Sequence, residues 1–277
     1  MKKALGSVRR HFQKLDTDKN HRVSDLGEYS KPKDPKDSDS VRIVIISDTH
    51  GTKKIPEIVP DGDILIHCGD FTLHGRLVEV ESFNEILGSI KHKFKHILVI
   101  AGNHELMMDP SLNGSRPEEC QRILSNCTYL EDEGIELMGI KFYGTPWHPE
   151  HRVGDAFSVK CGEECLSKWE KIPFDTDVLM THTPPYGVCD EGHHIKHAGC
   201  PELLYIVQEK VKPRIHAFGH IHEAYGIAKD KTTTYLNASI CTRRYRSDNL
   251  PFVIDLKPIE KKTVDFLPNV LDGIETI

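Results

Sequence analysis

The chain has 277 residues, of which 38% are hydrophobic and 28% are charged, and its net charge is −6. This length accommodates one large α/β domain with a short appendage at one end. The acidic balance argues against a general nucleic-acid surface, which requires a basic excess. A small phosphate substrate stays open, because bound metal ions add local positive charge.

The cysteines and the N-terminus bear on the cellular compartment in which the protein is expected. The eight cysteines include no CxxC pair, so zinc-ribbon spacing is absent. The opening MKKALGSVRRHF lacks the apolar core of a signal peptide, and no segment is apolar over the length of a membrane span. We therefore expect a cytoplasmic protein with free thiols and no membrane association. The pattern favours no particular oligomeric state.

Residues 1–40 are predicted to be an N-terminal extension, followed by a single domain over 41–277. Within the extension, SVRRHFQKL has the pattern of a short amphipathic helix, and SKPKDPKDSDS is a polar, proline-broken linker. The segment between them, residues 16–27, resembles an EF-hand calcium loop.

The match to an EF-hand is incomplete. Asp16, Asp18 and Asn20 occupy the first, third and fifth positions of the loop. His21 stands where glycine makes the sharp turn, and Gly27 stands where the bidentate glutamate belongs. Calcium binding and a solvated helix-to-linker segment are therefore both open.

From residue 41 onward, apolar runs alternate with helical patterns. The runs RIVIIS, DILIH, HILVIA, IKFYG, DVLMTH, RIHAFGH, TTYLNAS and PFVIDL are short, as buried strands are. Apolar residues recur at helical spacing from Leu77 to Phe94, and helices are predicted over 162–172 and 201–212. This alternation predicts a layered α/β core with its site at the strand ends.

Five polar motifs each follow a strand-like run: SDTHG (47–51), HCGDFT (67–72), AGNHE (101–105), MTHTPP (180–185) and FGHIHE (218–223). Capping of strand ends explains each motif alone, but neither their order nor their residue types together. They supply the carboxylates, amide and imidazoles that a pair of transition-metal ions requires: Asp48, Asp70, Asn103, His50, His182, His220 and His222. Two such ions about 3.5–4 Å apart promote phosphoester hydrolysis.

Together these motifs resemble those of the calcineurin-like metallophosphoesterases, over residues 41–256. Within that superfamily, GTPWHP, THTPPYG, HAGCPELL, FGHIHEAYG and YLNASICT resemble the metallophosphoesterase-domain-containing branch. That branch is similar to the class III cyclic nucleotide phosphodiesterases. The resemblance implies a four-layer αββα sandwich, in which two mixed β-sheets are flanked by helices.

The resemblance also implies a role for each motif residue. Asp48, His50 and His222 are expected to bind one ion, Asn103, His182 and His220 the other, and Asp70 to bridge both. His104 is implied to be catalytic, binding a phosphoryl oxygen or protonating the leaving group. For this mixture of nitrogen and oxygen ligands we expect two divalent ions, manganese first, with iron or zinc as alternatives.

The second motif departs from that of the protein Ser/Thr phosphatases. Those enzymes continue GDxxDRG, whereas this chain has GDFTLHG, with Leu73 and His74 in place of the aspartate and arginine. A protein-phosphatase activity is therefore disfavoured. The departure leaves Glu105 and the backbone as alternatives for the group that orients His104.

Three further residues are candidate substrate contacts: His74, Trp147 and His148. Ordinary packing is the alternative for the last two, which follow a predicted strand. The histidine-rich stretch EGHHIKHAGC (191–200) is interpreted as a polar loop beside the His182 motif rather than as another metal site.

The resulting functional hypothesis is a phosphodiesterase that acts on a small nucleotide, such as a cyclic nucleoside monophosphate, with a metal-bridging hydroxide as nucleophile. The preference for diesters follows from the resemblance alone. A metal-dependent phosphomonoesterase acting on nucleotides or small metabolites is the alternative among enzymes. A nucleotide-binding regulatory module with low turnover is the alternative from another class.

Overall fold

The computed structural model describes residues 2–15, 24–25, 36–151 and 155–259. Its strands are β1 (Ser24–Asp25), β2 (Val41–Ile46), β3 (Ile64–Cys68), β4 (His96–Ile100), β5 (Thr128–Tyr129), β6 (Glu133–Leu137), β7 (Ile140–Thr145), β8 (His148–Pro149), β9 (Ser158–Val159), β10 (Val178–Thr181), β11 (Ile215–Phe218), β12 (Gly226–Lys229), β13 (Thr234–Asn237) and β14 (Phe252–Leu256). Apart from Ser24 and Asp25, the EF-hand-like loop lies outside the described residues, and its calcium binding stays a prediction.

The α-helices are α1 (Lys2–Leu15), α2 (Ile55–Ile58), α3 (Leu77–Ile90), α4 (Pro117–Ile123), α5 (Glu163–Trp169) and α6 (Pro201–Tyr205). A π-helical segment, Ile206–Val211, continues α6, and short 3-10 turns cover Lys91–Lys93, Leu106–Met108 and His222–Ala224. The helix predicted over 201–212 is thus α6 with its π-helical continuation.

Two mixed sheets form the centre of the molecule. One has five strands in the order β14-β2-β3-β4-β5, and the other has seven in the order β1-β12-β13-β11-β10-β7-β6. Strands β2 to β5 are parallel, as are β13, β11, β10 and β7. Because the carboxyl ends of parallel strands lie at one edge of a sheet, each sheet gathers the residues that follow its strands.

Three apolar layers hold the sheets and helices together. Between the sheets, side chains such as Ile45 and Ile66 meet Phe142 and Met180 of the facing sheet. The outer face of the five-stranded sheet packs against α3, and the outer face of the seven-stranded sheet packs against α5 and α6. The order helix, sheet, sheet, helix confirms the predicted αββα sandwich.

Helix α1 is part of this packing. Val8 is 6% exposed and belongs to the apolar layer that contains α5 and α6. His11 is also buried, and its two ring nitrogens each lie 3.0 Å from a side-chain oxygen, of Glu209 and of Gln208. The division at residue 41 stays a prediction, but α1 is packed onto the domain that follows it.

Replacing Val8 with aspartate is therefore expected to lower the free energy of unfolding by about 3 kcal/mol, because it buries an unpaired carboxylate. Urea denaturation of the full chain measures this value. Arg9→Asp, one residue further on and exposed, is the control and should change stability little. Equal stability of the two variants would show that α1 does not pack as described.

Candidate metal centre

All seven predicted ligands lie where parallel strands leave the two sheets. Asp48 and His50 follow β2, Asp70 follows β3, and Asn103 follows β4, all in the five-stranded sheet. From the seven-stranded sheet, His182 follows β10, and His220 and His222 follow β11. The structure thus brings five separated segments to one point between the sheets.

One half of the centre contains Asp48, His50 and His222, whose ligand atoms all lie within 4.8 Å of one another. The Nε2 atoms of His50 and His222 are 3.0 Å apart, and His222 Nε2 is 3.2 Å from Asp48 Oδ1. Two ligand atoms at right angles and about 2.1 Å from a shared ion are about 3.0 Å apart. These separations fit a divalent cation.

The other half contains Asn103, His182 and His220. Asn103 Oδ1 lies 2.9 Å from His182 Nε2 and 2.9 Å from His220 Nδ1. Asp70 stands between the halves, with Oδ2 3.4 Å from His182 Nε2 and 3.8 Å from His50 Nε2. One carboxylate is therefore close to both halves.

Backbone carbonyls fix the direction of three imidazoles. The Nδ1 atoms of His50, His182 and His222 donate to the carbonyl oxygens of Thr72 (3.1 Å), Cys68 (2.9 Å) and Thr242 (3.2 Å). The Nε2 lone pairs of these rings, when neutral, consequently face the centre. The Nε2 atoms of His50 and His222 are thus close enough to share either a proton or a cation.

The buried carboxylates affect the histidines unequally. Burial lowers the pKa of His50 to about 4, although Asp70 and Asp48 favour its charged form. Burial also opposes a charge on His182, but Asp70 outweighs it and raises the pKa of His182 to about 10. Without an ion, His182 therefore carries a proton beside Asp70. A divalent ion held by His182 would take the place of that proton.

The backbone conformation is unusual at four of the predicted ligands. Asp48, His50, Asp70 and His220 have φ values of 51°, 44°, 56° and 69°, in the left-handed region that side chains disfavour. Gly219 allows the last turn to approach the first, because a Cβ there would lie 1.9 Å from Asp48 Oδ2. The GHIH motif therefore needs its glycine for space, whatever the predicted ligand role of its histidines.

Glu105 joins the loops that carry Asp70 and Asn103. It is fully buried, and its Oε2 accepts hydrogen bonds from the backbone N–H groups of Asp70 (2.8 Å) and Gly102 (2.6 Å). Its Oε1 accepts from the backbone N–H (2.9 Å) and hydroxyl (2.8 Å) of Thr72. Glu105 is thus a positioning residue beneath the centre rather than the partner of the His104 ring.

Glu105→Gln is expected to turn an amide N–H₂ toward at least one of these donors. We expect a loss of about 2–4 kcal/mol in unfolding free energy and a 10- to 100-fold loss of metal affinity or activity. Urea denaturation and metal titration measure the two effects. Glu57→Gln, on the surface helix α2, is the control. A Glu105→Gln protein as stable as this control would contradict the role assigned to Glu105.

The His104 ring is oriented by the backbone. Its Nδ1 donates to the Leu73 carbonyl oxygen at 2.7 Å, and its backbone N–H donates to Asp70 Oδ1 at 2.9 Å. Its Nε2 consequently faces the centre, 3.9 Å from Asp70 Oδ2. With 26% of its side chain exposed, His104 is more accessible than Asp70, which is 2% exposed. Of the two predicted alternatives, the backbone is the one that orients the ring.

The three candidate substrate contacts have different surroundings. His74 is exposed and directly follows Leu73. Trp147 is half-buried, with its indole N–H donating to Asp132 Oδ1 at 3.0 Å and Lys168 above its ring. His148 is fully buried, and both ring nitrogens lie within 2.9 Å of backbone carbonyl oxygens. In this conformation His148 does not present a nitrogen to a phosphate, and substrate contact by all three stays a prediction.

Two nearby groups were missed by the sequence reasoning. Ser239 donates its hydroxyl hydrogen to Asp48 Oδ2 at 2.9 Å. The Tyr245 ring packs against His50 and His222 in T-shaped arrangements, with centroid distances of 4.9 and 5.4 Å. Both residues lie in or just after YLNASICT, but a serine and a tyrosine have no ligand spacing that would single them out.

The histidine-rich stretch at 191–200 does not converge. His197 pairs with Asp190 at 3.2 Å, the rings of His193 and His194 contact each other, and Cys200 is buried as an acceptor for Trp169. Among the described residues, no metal-competent group contains these histidines.

Comparison with known proteins agrees with this geometry. The model of the family described as calcineurin-like phosphoesterase matches residues 41–224. The chain belongs to that family. It is 44% identical over 241 residues to metallophosphoesterase domain-containing protein 1 of Homo sapiens, covering 80% of this chain and 73% of that protein. It is equally identical over 233 residues to UPF0046 protein C25E10.12 of Caenorhabditis elegans, covering 78% of this chain and 81% of that protein.

A solved structure supports the fold. Phosphopantetheinyl hydrolase from Mycobacterium tuberculosis aligns with a TM-score of 0.51 at 14% identity, over 81% of this chain and 98% of that one. The predicted membership in the metallophosphoesterase-domain-containing branch is confirmed by the named relatives. The chain is thus a metal-dependent phosphoesterase that uses divalent ions and acts on small phosphoesters. Among the helices of the described residues, none has both the length and the hydropathy of a membrane span.

Proposed function

We propose that this phosphoesterase hydrolyses phosphodiester bonds of small nucleotides, cyclic nucleotides among them, with two divalent ions bound side by side. Asp48, His50 and His222 bind one ion, and Asn103, His182 and His220 bind the other. Asp70 bridges them. Manganese fits this mixture of imidazole and oxygen ligands, and iron or zinc are alternatives.

The observation that carries the proposal is the position of Asp70. Its Oδ2 lies 3.8 Å from His50 Nε2 on one side and 3.4 Å from His182 Nε2 on the other. Two ions that share a carboxylate are about 3.5–4 Å apart in enzymes of this kind. A centre for one ion would use one half and leave the other half as buried polar atoms without a function.

The ions, three backbone carbonyls and His104 have separate roles in the proposed reaction. When bound, the two ions neutralise phosphoryl oxygens and acidify water near neutral pH. The carbonyls of Thr72, Cys68 and Thr242 hold the imidazoles in the tautomer that binds metal. The Leu73 carbonyl holds the His104 ring with its Nε2 toward the same space, and in this proposal His104 donates a proton to the departing oxygen.

Two observations favour small nucleotides over protein substrates. Leu73 and His74 replace the aspartate and arginine that the protein-phosphatase motif places at those positions. The motifs resemble those of class III cyclic nucleotide phosphodiesterases.

The test compares a diester with a monoester. Full-length protein is stripped with chelator, reloaded with manganese and assayed on bis(p-nitrophenyl) phosphate, p-nitrophenyl phosphate and 3′,5′-cyclic AMP. Metal analysis of the reloaded protein should give two ions per chain, and kcat/KM should be higher for the diesters. A higher value for the monoester would favour the phosphomonoesterase. Nucleotide binding without turnover in the metal-loaded protein would favour the regulatory module.

A further inference from the structure

The segment that follows Ser239 forms a short hairpin, residues 240–249, attached to the metal centre. The backbone N–H groups of Ile240 and Cys241 donate to the carbonyl oxygens of Ser47 (2.8 Å) and Asp48 (3.2 Å). At the other end, the backbone N–H of Asn249 donates to the Ile240 carbonyl at 3.2 Å. The base of the hairpin is therefore held against the strand end that carries Asp48.

The tip of this hairpin is held as well. The backbone N–H of Thr242 donates to the Arg246 carbonyl at 2.8 Å, and that of Tyr245 donates to the Thr242 carbonyl at 2.8 Å. The Ser247 hydroxyl donates to Thr52 Oγ1 at 2.8 Å. Tyr245 has a φ of 55°, which turns its ring onto His50 and His222. The hairpin is thus ordered, and its tip lies beside the half of the centre that contains Asp48.

Three arginines lie on this tip. Arg243, Arg244 and Arg246 line a cavity of about 450 Å³ together with Thr242 and Asp248. Three positive charges against one negative charge are concentrated here, although the whole chain has a net charge of −6. Guanidinium groups bind phosphate through paired N–H donors, so this is a surface on which a phosphate group is favoured.

The existing partners of the three arginines leave room for an anion. Arg246 makes two hydrogen bonds to Asp248 Oδ2, and Arg243 lies 3.6 Å from Glu223. Both pairs are largely exposed, and exposed ion pairs are weak enough for a phosphate to displace. Arg244 is exposed and makes no hydrogen bond or ion pair with any residue in the described part of the chain.

We propose that the arginine hairpin, residues 242–248, binds a second phosphate group of the substrate, and that the preferred substrates are nucleotides that carry another phosphate besides the one cleaved. The inference rests on the proposed function, because the second phosphate is recognised only while the first lies at the metal centre. The arginines act in binding and take no part in bond cleavage.

The test uses two diesters that differ only in the second phosphate: adenosine 2′,3′-cyclic phosphate and its 5′-phosphorylated form. For the manganese-loaded full chain we expect kcat/KM to be at least about tenfold higher for the 5′-phosphorylated substrate, mainly through a lower KM. The ratio of the two kcat/KM values should fall as salt is raised from about 50 to about 500 mM, because salt screens the attraction between exposed arginines and a phosphate.

Arg244→Ala is expected to lower the ratio of kcat/KM for the 5′-phosphorylated substrate to that for the unphosphorylated one by about tenfold. Arg244→Glu should lower the same ratio further, because it places a negative charge where the phosphate would bind. Arg122→Ala removes an exposed arginine from α4 and should leave the ratio at its wild-type value. The ratio is read within each protein, so a variant with partial misfolding still reports it. A wild-type ratio near one, or a ratio unchanged by Arg244→Glu, would overturn the proposal.

The same experiment separates this inference from the proposed function. Hydrolysis of both cyclic phosphates without discrimination would reject the arginine hairpin as a phosphate site and leave phosphodiesterase activity intact. Absence of manganese-dependent hydrolysis of either cyclic phosphate and of bis(p-nitrophenyl) phosphate would instead reject the proposed function.

Discussion

Replacing Asp70 with asparagine is expected to lower kcat/KM for a diester by at least about a thousandfold. Asparagine keeps the shape of the side chain and an oxygen that can accept from the His104 backbone N–H. It removes the negative charge that the proposed bridge places between two cations. The loss should therefore appear in metal content as well as in rate, with about one ion per chain in place of two.

Metal analysis and kinetics on the same preparation test this result. Asp61→Asn, at an exposed position ahead of β3, is the control and should retain both ions and full activity. Thermal unfolding of the chelated proteins shows whether the fold is maintained. An Asp70→Asn protein that binds two ions and turns over at the wild-type rate would refute the bridging role.

His104→Ala is the second large effect. We expect kcat for a nucleotide diester to fall about 10²- to 10⁴-fold, the usual contribution of a positioned general acid. The metal content should stay at the wild-type value, because the proposed ligands are elsewhere. His92→Ala, which removes an exposed histidine from the turn after α3, should leave both quantities unchanged.

The leaving group distinguishes proton donation by His104 from a structural role. A ribose oxygen needs a proton to depart, whereas p-nitrophenolate leaves readily without one. The loss caused by His104→Ala should therefore be much smaller for bis(p-nitrophenyl) phosphate than for 3′,5′-cyclic AMP. Equal losses for both substrates would mean that His104 acts by binding or positioning.

The sequence predicted the continuously apolar strands and missed strands that are short or partly exposed. The eight apolar runs became β2, β3, β4, β7, β10, β11, β13 and β14, because strands with both faces covered need continuous apolar residues. Strands β6 and β12 lie toward the margins of their sheet and are partly exposed. Their residues lack both an apolar run and a clear alternation of apolar and polar residues, so the hydrophobic pattern did not predict these two strands.

For the site, the strand-end motifs predicted which side chains meet, because ligand types and strand ends are both visible in a sequence. The supporting contacts were not visible. The ring of His104 is held by the Leu73 carbonyl, and a backbone carbonyl can be supplied by any residue. Tyr245 reaches His50 through a left-handed turn. Such a contact depends on tertiary geometry rather than on spacing along the chain.

The ligands come from both sheets, and this has a consequence for stability. Each proposed ion is bound by residues that follow strands of the five-stranded sheet and by at least one residue that follows β11 of the other sheet. The two cations would therefore cross-link the two sheets at the edge where these strands end. In a chelated protein, amide protons at the ends of β2 and β11 should exchange faster, whereas those beside α3 should keep their protection. Hydrogen exchange with and without manganese measures these rates. Equal protection of β2 and β11 in the two states would show that the ions do not cross-link the sheets.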